Sequence, residues 1–273
     1  MEIKEILEKD ILESNYVPCG VNQGTVMIEQ SRAIAEAQGK LLMAKKFPRD
    51  EVAAHSRVIE ACQRKGMAEK AFFSFPRGNN TVEGPTILFA KELARCWGNI
   101  DYGIKELSQD FGKSELQAYA WDLESNTISV QTFTNPHERE VNKKMVVLSS
   151  NRDIYENNAN MATRRLRSRI LAILPSWLVD DAIAECKRTI AGNNDVPLID
   201  RVKKMLVQFA KLGVSQDMIE MRLGRKVDTM SPEDLAEYVG IFNSLKQGET
   251  RPFDWFEQYQ YTSDITAELK AES

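Results

Sequence analysis

Between Asn151 and Ile173 apolar residues return every three or four positions, at Tyr155, Ala159, Ala162, Leu166, Ile170 and Ile173. At about 100° per residue these side chains share one face, which predicts a helix that buries one side. Asn157, Asn160, Arg164 and Arg167 fall on the opposite side, with Arg165 and Arg169 at its flanks. From Met161 to Leu174 there are four arginines and no acid. Such a helix packs on other elements through one face and presents planar guanidinium forks, which suit phosphate oxygens. The plainer expectation is a solvated charged face. Against it stands the lack of a carboxylate one turn from any of these arginines, so the helix does not compensate their field itself. Pro175 stops this helix, and Trp177 to Ile190 predicts a shorter one.

Upstream, residues 1–14 read as a short acidic amphipathic helix followed by a loop through Pro18 and Gly24. Thr25 to Phe47 has helical periodicity through Ile28, Ile34, Ala35, Leu41 and Leu42, and Pro48 ends it. Its Met and Leu positions are expected in a core or a subunit contact. Another helix is predicted over Arg49 to Lys65, starting near Asp50. FFSFPRGNNTVEGPTI then predicts a hairpin, with Arg77 at the tip and Gly78-Asn79-Asn80 as the turn. Gly84-Pro85 opens a helix that Gly98-Asn99 closes. Three strands follow in IDYGIKELSQ, SELQAYAWDL and TISVQTF. Trp97, Trp121 and Trp177 are expected in the core, with a base-stacking role as the alternative. Asn135 to Ser150 is expected to be a mobile polar loop that carries Arg139, Lys143 and Lys144 up to the arginine helix.

Residues 193–197 read as a linker, and the chain beyond them as three short helices. Ser215 and Ser231 are the expected N-caps, and Gly213, Gly224 and Gly248 the stops. Trp255 and Phe256 fall in an expected flexible tail. The predicted class is α+β: an antiparallel β-meander with a hairpin, packed by long helices, in residues 1–192, and a small all-α module in 193–273.

Composition excludes more than it identifies. Cys19, Cys62, Cys96 and Cys186 lie far apart with no CxxC pair, which supports free thiols over a zinc site or a disulfide framework. His55 and His137 are the only histidines, too few for a histidine metal centre. No P-loop, HExxH, GxSxG or kinase signature is present. Asp122 and Glu124 invite a metal-nuclease reading, but WDLESNTI supplies no lysine and no third acid. Neither a catalytic centre nor a cofactor or metal site is expected. No apolar run is long enough to span a membrane, and the acidic N-terminus is unlike a signal peptide, so a cytoplasmic protein is expected. Residues 193–273 carry 10 Lys/Arg against 14 Asp/Glu, which accounts for the whole net charge of −4. Residues 1–192 are therefore balanced overall, with their cations gathered in patches that permit nucleic-acid binding.

The order of pieces resembles the phage single-strand annealing proteins of the Redβ/RecT superfamily. The matching pieces are FFSFPRGNNTVEGPTILFAKELARCWGNIDYGI, the meander to Phe133 and MATRRLRSRILAILP, and the resemblance covers roughly Val52 to Ile190. The last is the most specific, with its Met-Ala, basic pair and apolar run ending in Leu-Pro. The resemblance implies an ATP-independent protein that binds single-stranded DNA and pairs it with a complement in phage-type recombination. It implies Arg164, Arg165, Arg167 and Arg169 on the basic helix, Arg77 at the hairpin, and Lys143 and Lys144, beside Arg139, in the preceding loop as DNA contacts. It also implies a ring or helical filament holding an annealed duplex intermediate. An exonuclease or a host single-strand-binding protein would dock on residues 193–273. The alternative is a nucleic-acid-binding or assembly protein that does not anneal.

Overall fold

The computed structural model describes residues 23–77, 80–141, 144–192 and 196–256. The expected helix at 1–14, the Gly78-Asn79 turn, Lys143, linker positions 193–195 and the chain after Phe256 lie outside them. The chain divides into two compact units, Met1–Pro48 and Arg49–Ser273.

In the first unit one helix is described, α1 (Gln23–Lys46), with Lys45 and Lys46 in its last turn where cations complement the helix dipole. The second unit opens with α2 (Glu51–Cys62), N-capped by Asp50, whose side chain accepts from the Ala53 N–H at 3.0 Å. A helical turn, α3 (Lys65–Ala68), leads to a hairpin of β1 (Phe72–Arg77) and β2 (Asn80–Pro85). Thr86 caps α4 (Ile87–Trp97). Then β3 (Ile100–Asp110), β4 (Lys113–Asp122) and β5 (Thr127–Pro136) pair in sequence order as an antiparallel meander. Gly112, with φ of 82°, lets the chain reverse between β3 and β4.

Residues 118 and 120 of β4 decide how the layers meet. Both are alanines, fully buried, on the face opposite Tyr119 and Trp121. Small side chains there bring the long helix α5 (Asn151–Ile173) onto all three strands. Ala118 and Ala120 join Leu166, Ile170, Phe72, Phe89 and Trp97 in one apolar core, completed by α6 (Ser176–Ala191). The architecture is α+β.

A second core lies among α7 (Leu198–Ala210), α8 (Gln216–Leu223) and α9 (Pro232–Lys246). Phe209 sits at its centre, edge-on to Tyr238, Phe242 and Phe256, with ring centroids 5.8, 5.7 and 6.0 Å away. Burial pushes the Tyr238 phenol up to about 12, and its hydroxyl donates to the Ile219 carbonyl. Ser231 and Asp234 form a capping box at the start of α9. This helix belongs to both cores, giving Ala236 to the first and Leu235, Tyr238 and Ile241 to the second. It closes on β1 at Gly240, where a Cβ would meet Ser74 Oγ and the Phe72 ring. Asn243 Nδ2 donates to the carbonyls of Glu69 and Phe72, each at 2.8 Å. The helices after residue 192 and the β1–β2 hairpin therefore share one compact unit.

Several expectations need correction. Residues 135–150 are not a loop, because β6 (Glu138–Val141) and β7 (Lys144–Val147) pair as a hairpin. The Met145-Val146-Val147 run suits a strand, and the Leu148 N–H closes the base on the His137 carbonyl at 2.7 Å. Trp255 and Phe256 are buried in the second core rather than flexible. Trp177 is 47 % exposed, packed against Trp97 and His55 at the core's edge. Trp121 is half-buried on the outer face of the meander, donating to Asn126 Oδ1. On α5 the buried line is Ile154, Asn158, Ala162, Leu166 and Ile170, and Tyr155 faces solvent. An asparagine, not a tyrosine, turns inward because the sheet offers it polar partners.

Candidate nucleic-acid interface

Those partners fix how α5 crosses the meander. Asn158 Nδ2 donates to Ser114 Oγ at 2.9 Å and Glu106 Oε1 at 3.2 Å, while Asn158 Oδ1 accepts from Asn135 at 2.8 Å. Ser114 Oγ lies 2.8 Å from His137 Nε2. Asn157, the next residue back, donates to the carbonyls of Pro136 and Glu138, which anchors the β6–β7 hairpin to the first half of α5. A buried polar network of this kind is costly to leave half-made, so it specifies one register of helix on sheet.

That register sets the four arginines. Arg165 lies toward β5, its guanidinium 3.9 Å from the centroid of Phe133, and Nη1 donates to the Met161 carbonyl at 3.0 Å. Arg167 points to the β1–β2 hairpin and stacks on Phe73 at 4.5 Å. Its Nη1 is 3.3 Å from Glu249 Oε1, and Arg164 Nε is 3.8 Å from the same oxygen. The Arg164 side chain is 48 % exposed and that of Arg167 only 17 %. The Nε of Arg169 is buried and has no hydrogen-bond partner among the described residues. Asp181, an acid of α6, pairs with His55 at 3.3 Å.

The expectation of an uncompensated arginine field is therefore corrected. Glu249, which follows α9, supplies the carboxylate that the helix lacks, 82 residues away from Arg167. No local pattern in the sequence signals it. Phe73 and Phe133 were equally invisible as partners, since only the fold lays their rings under guanidinium groups. Stacking on a ring holds an arginine in one orientation while leaving N–H groups for other acceptors.

The remaining described sequence candidates lie on two hairpins. Arg139 on β6 and Lys144 on β7 are exposed and, by the pairing register, share one face of the hairpin. Arg77 ends β1 opposite Asn80. The β6–β7 hairpin that carries Arg139 and Lys144 is thus anchored to the first half of α5, and the four arginines lie along its second half.

Asp122 and Glu124 have a different role from the one a nuclease would need. Arg49 Nη2 and Nη1 bind the two Asp122 oxygens at 3.1 and 3.3 Å, and the Arg49 N–H donates to Glu124 Oε1 at 2.8 Å. The guanidinium also lies 4.6 Å from the Trp97 ring centroid and donates to the Trp97 and Gly98 carbonyls. This clamp ties the start of α2 to the β4–β5 turn. Cys62, Cys96 and Cys186 are buried free thiols. A hydrogen bond to Cys62, with burial, holds the Cys186 thiol far above its ordinary value, and burial raises Cys96. Neither thiol is poised as a nucleophile. Among the described residues no group of three or more His, Cys, Asp or Glu side chains is placed to hold a metal ion, and no helix is long and apolar enough to cross a membrane.

No protein-family model matches the chain, and neither a curated protein nor a solved structure matches it.

Proposed function

We propose that this chain binds single-stranded DNA and anneals it to a complement without ATP, on a core of the Redβ/RecT annealase type. The observation that carries the proposal is the arrangement of guanidinium groups along α5. Two are braced on aromatic rings, and the Arg164 side chain is 48 % exposed. Cations that grip phosphates release counterions and read no sequence. Bases left facing outward can then be tested by a second strand through Watson–Crick pairing, so specificity belongs to the DNA.

By the same resemblance, copies of the chain would extend the groove as a ring or filament in the cytoplasm of a phage-infected cell. Residues 193–273 would dock an exonuclease or a single-strand-binding protein. Glu249 favours a second reading, a nucleic-acid-binding or assembly protein that does not anneal, because it holds two of the four arginines. Pairing of complementary fluorescent oligonucleotides separates the two. Annealing predicts acceleration in the absence of nucleotide, whereas a passive binder retards the strands in a gel without speeding their pairing.

A further inference from the structure

Helix α1 carries an apolar stripe that its own unit leaves open. Met27, Ile28, Ile34, Leu42 and Met43 are 39 to 67 % exposed, although most helical stability in proteins comes from packing an apolar face. At about 100° per residue they fall, with Ala35 and Gly39, on one side of the helix.

Two features of this side point to the same occupant. The stripe is symmetric about Ala35, since Met27 and Ile28 precede it by eight and seven residues and Met43 and Leu42 follow it by the same intervals. Laid against a second copy running the other way, Ile28 meets Leu42 near the centre of the contact and Ala35 faces itself at the two-fold axis, with Met27 and Met43 on its two flanks. Charge agrees with that direction. Along one flank of the stripe the order is Glu29, Arg32, Glu36, Lys40, in which Arg32 pairs with Glu29 at 3.4 Å and Lys40 with Glu36 at 2.8 Å. Reversing an acid-base-acid-base order opposes each charge with its opposite, and in an antiparallel pair like flanks lie together. Glu29 then faces Lys40 of the other copy, and Arg32 faces Glu36, in a register one to two residues from the apolar match. A parallel pair offers no such axis at Ala35.

We propose that α1 is a self-association element, pairing antiparallel with α1 of a second copy of this chain. This contact is isologous and closes on itself. It stands independently of what the chain binds.

Full-length Ala35→Cys, treated with a short bis-maleimide, tests the geometry against the unmodified chain as the background for its native cysteines. Antiparallel pairing predicts a covalent dimer from Ala35→Cys and little from Met43→Cys, whose own copies sit at opposite ends of the contact. Equal cross-linking at both positions, or none at Ala35→Cys, would overturn the proposal. Light scattering on the full chain supplies a second readout. Ile28→Asp with Leu42→Asp, both at exposed positions, should reduce the solution mass at least twofold with helical content retained. An unchanged mass, or a monomeric unmodified chain in which residues 1–22 cover the stripe instead, would contradict it.

Discussion

Arg167 is the residue at which charge and packing meet. Phe73 beneath the guanidinium and Glu249 beside it hold one orientation, and the same Glu249 oxygen reaches Arg164. A phosphate that takes these arginines must displace a carboxylate already there. Two predictions follow from that competition. Glu249→Gln should tighten single-strand binding about two- to fivefold at low salt, the range expected for a partly exposed ion pair, as read by fluorescence anisotropy. Weaker binding would mean that the carboxylate positions the arginines instead of competing for them. Replacing Arg164 and Arg167 together by Ala should weaken binding and reduce the slope of log K against log salt by about 0.7–1.4, at about 0.7 per phosphate contact on single strands. The triple variant that adds Glu249→Gln keeps a stranded carboxylate from causing that loss. Unchanged binding by the folded double variant would remove these two residues from the interface. Much of this site was legible in the sequence as residue types, because four arginines without a nearby acid are a local pattern. Their partners were not legible, because Glu249, Phe73 and Phe133 reach them only through tertiary contacts.

At the scale of elements, periodicity found α5 and alternation found the meander, while errors came where polar and apolar roles cross. Asn158 breaks the apolar line of α5 and is buried because Ser114, Glu106 and Asn135 complete its hydrogen bonds. The β6–β7 hairpin was hidden by its charges, although β-branched residues lay among them. Helix α9 shows a different limit, since its start was plain from Ser231-Pro232 but its docking on β1 depends on the missing side chain of Gly240. A Cβ there would lie 3.0 Å from Phe72 Cε2 and closer still to Ser74 Oγ. Gly240→Ala should therefore destabilise the fold. Overpacking of about 1–3 kcal/mol exceeds the gain of about 1 kcal/mol from replacing a helical glycine. Urea unfolding should give a lower midpoint at unchanged slope. A midpoint equal to or above that of the unmodified chain would show that α9 does not close on β1 as tightly as described.

For the whole molecule, the distribution of charge matters more than its sum. The acidic excess lies entirely in residues 193–273, whereas the arginine helix and the hairpin cations belong to the balanced part before them. One acid of the later region, Glu249, already reaches back to α5, so the two regions are coupled electrostatically and through α9. On the proposed function, phosphate contact would run along one helix, and salt should weaken that contact. The most direct test is the rate at which two complementary fluorescent oligonucleotides pair with the full chain present, without nucleotide, at low and moderate salt. Acceleration that falls as salt rises is the predicted result. A folded protein that leaves the pairing rate unchanged at both salt concentrations would contradict the annealing proposal.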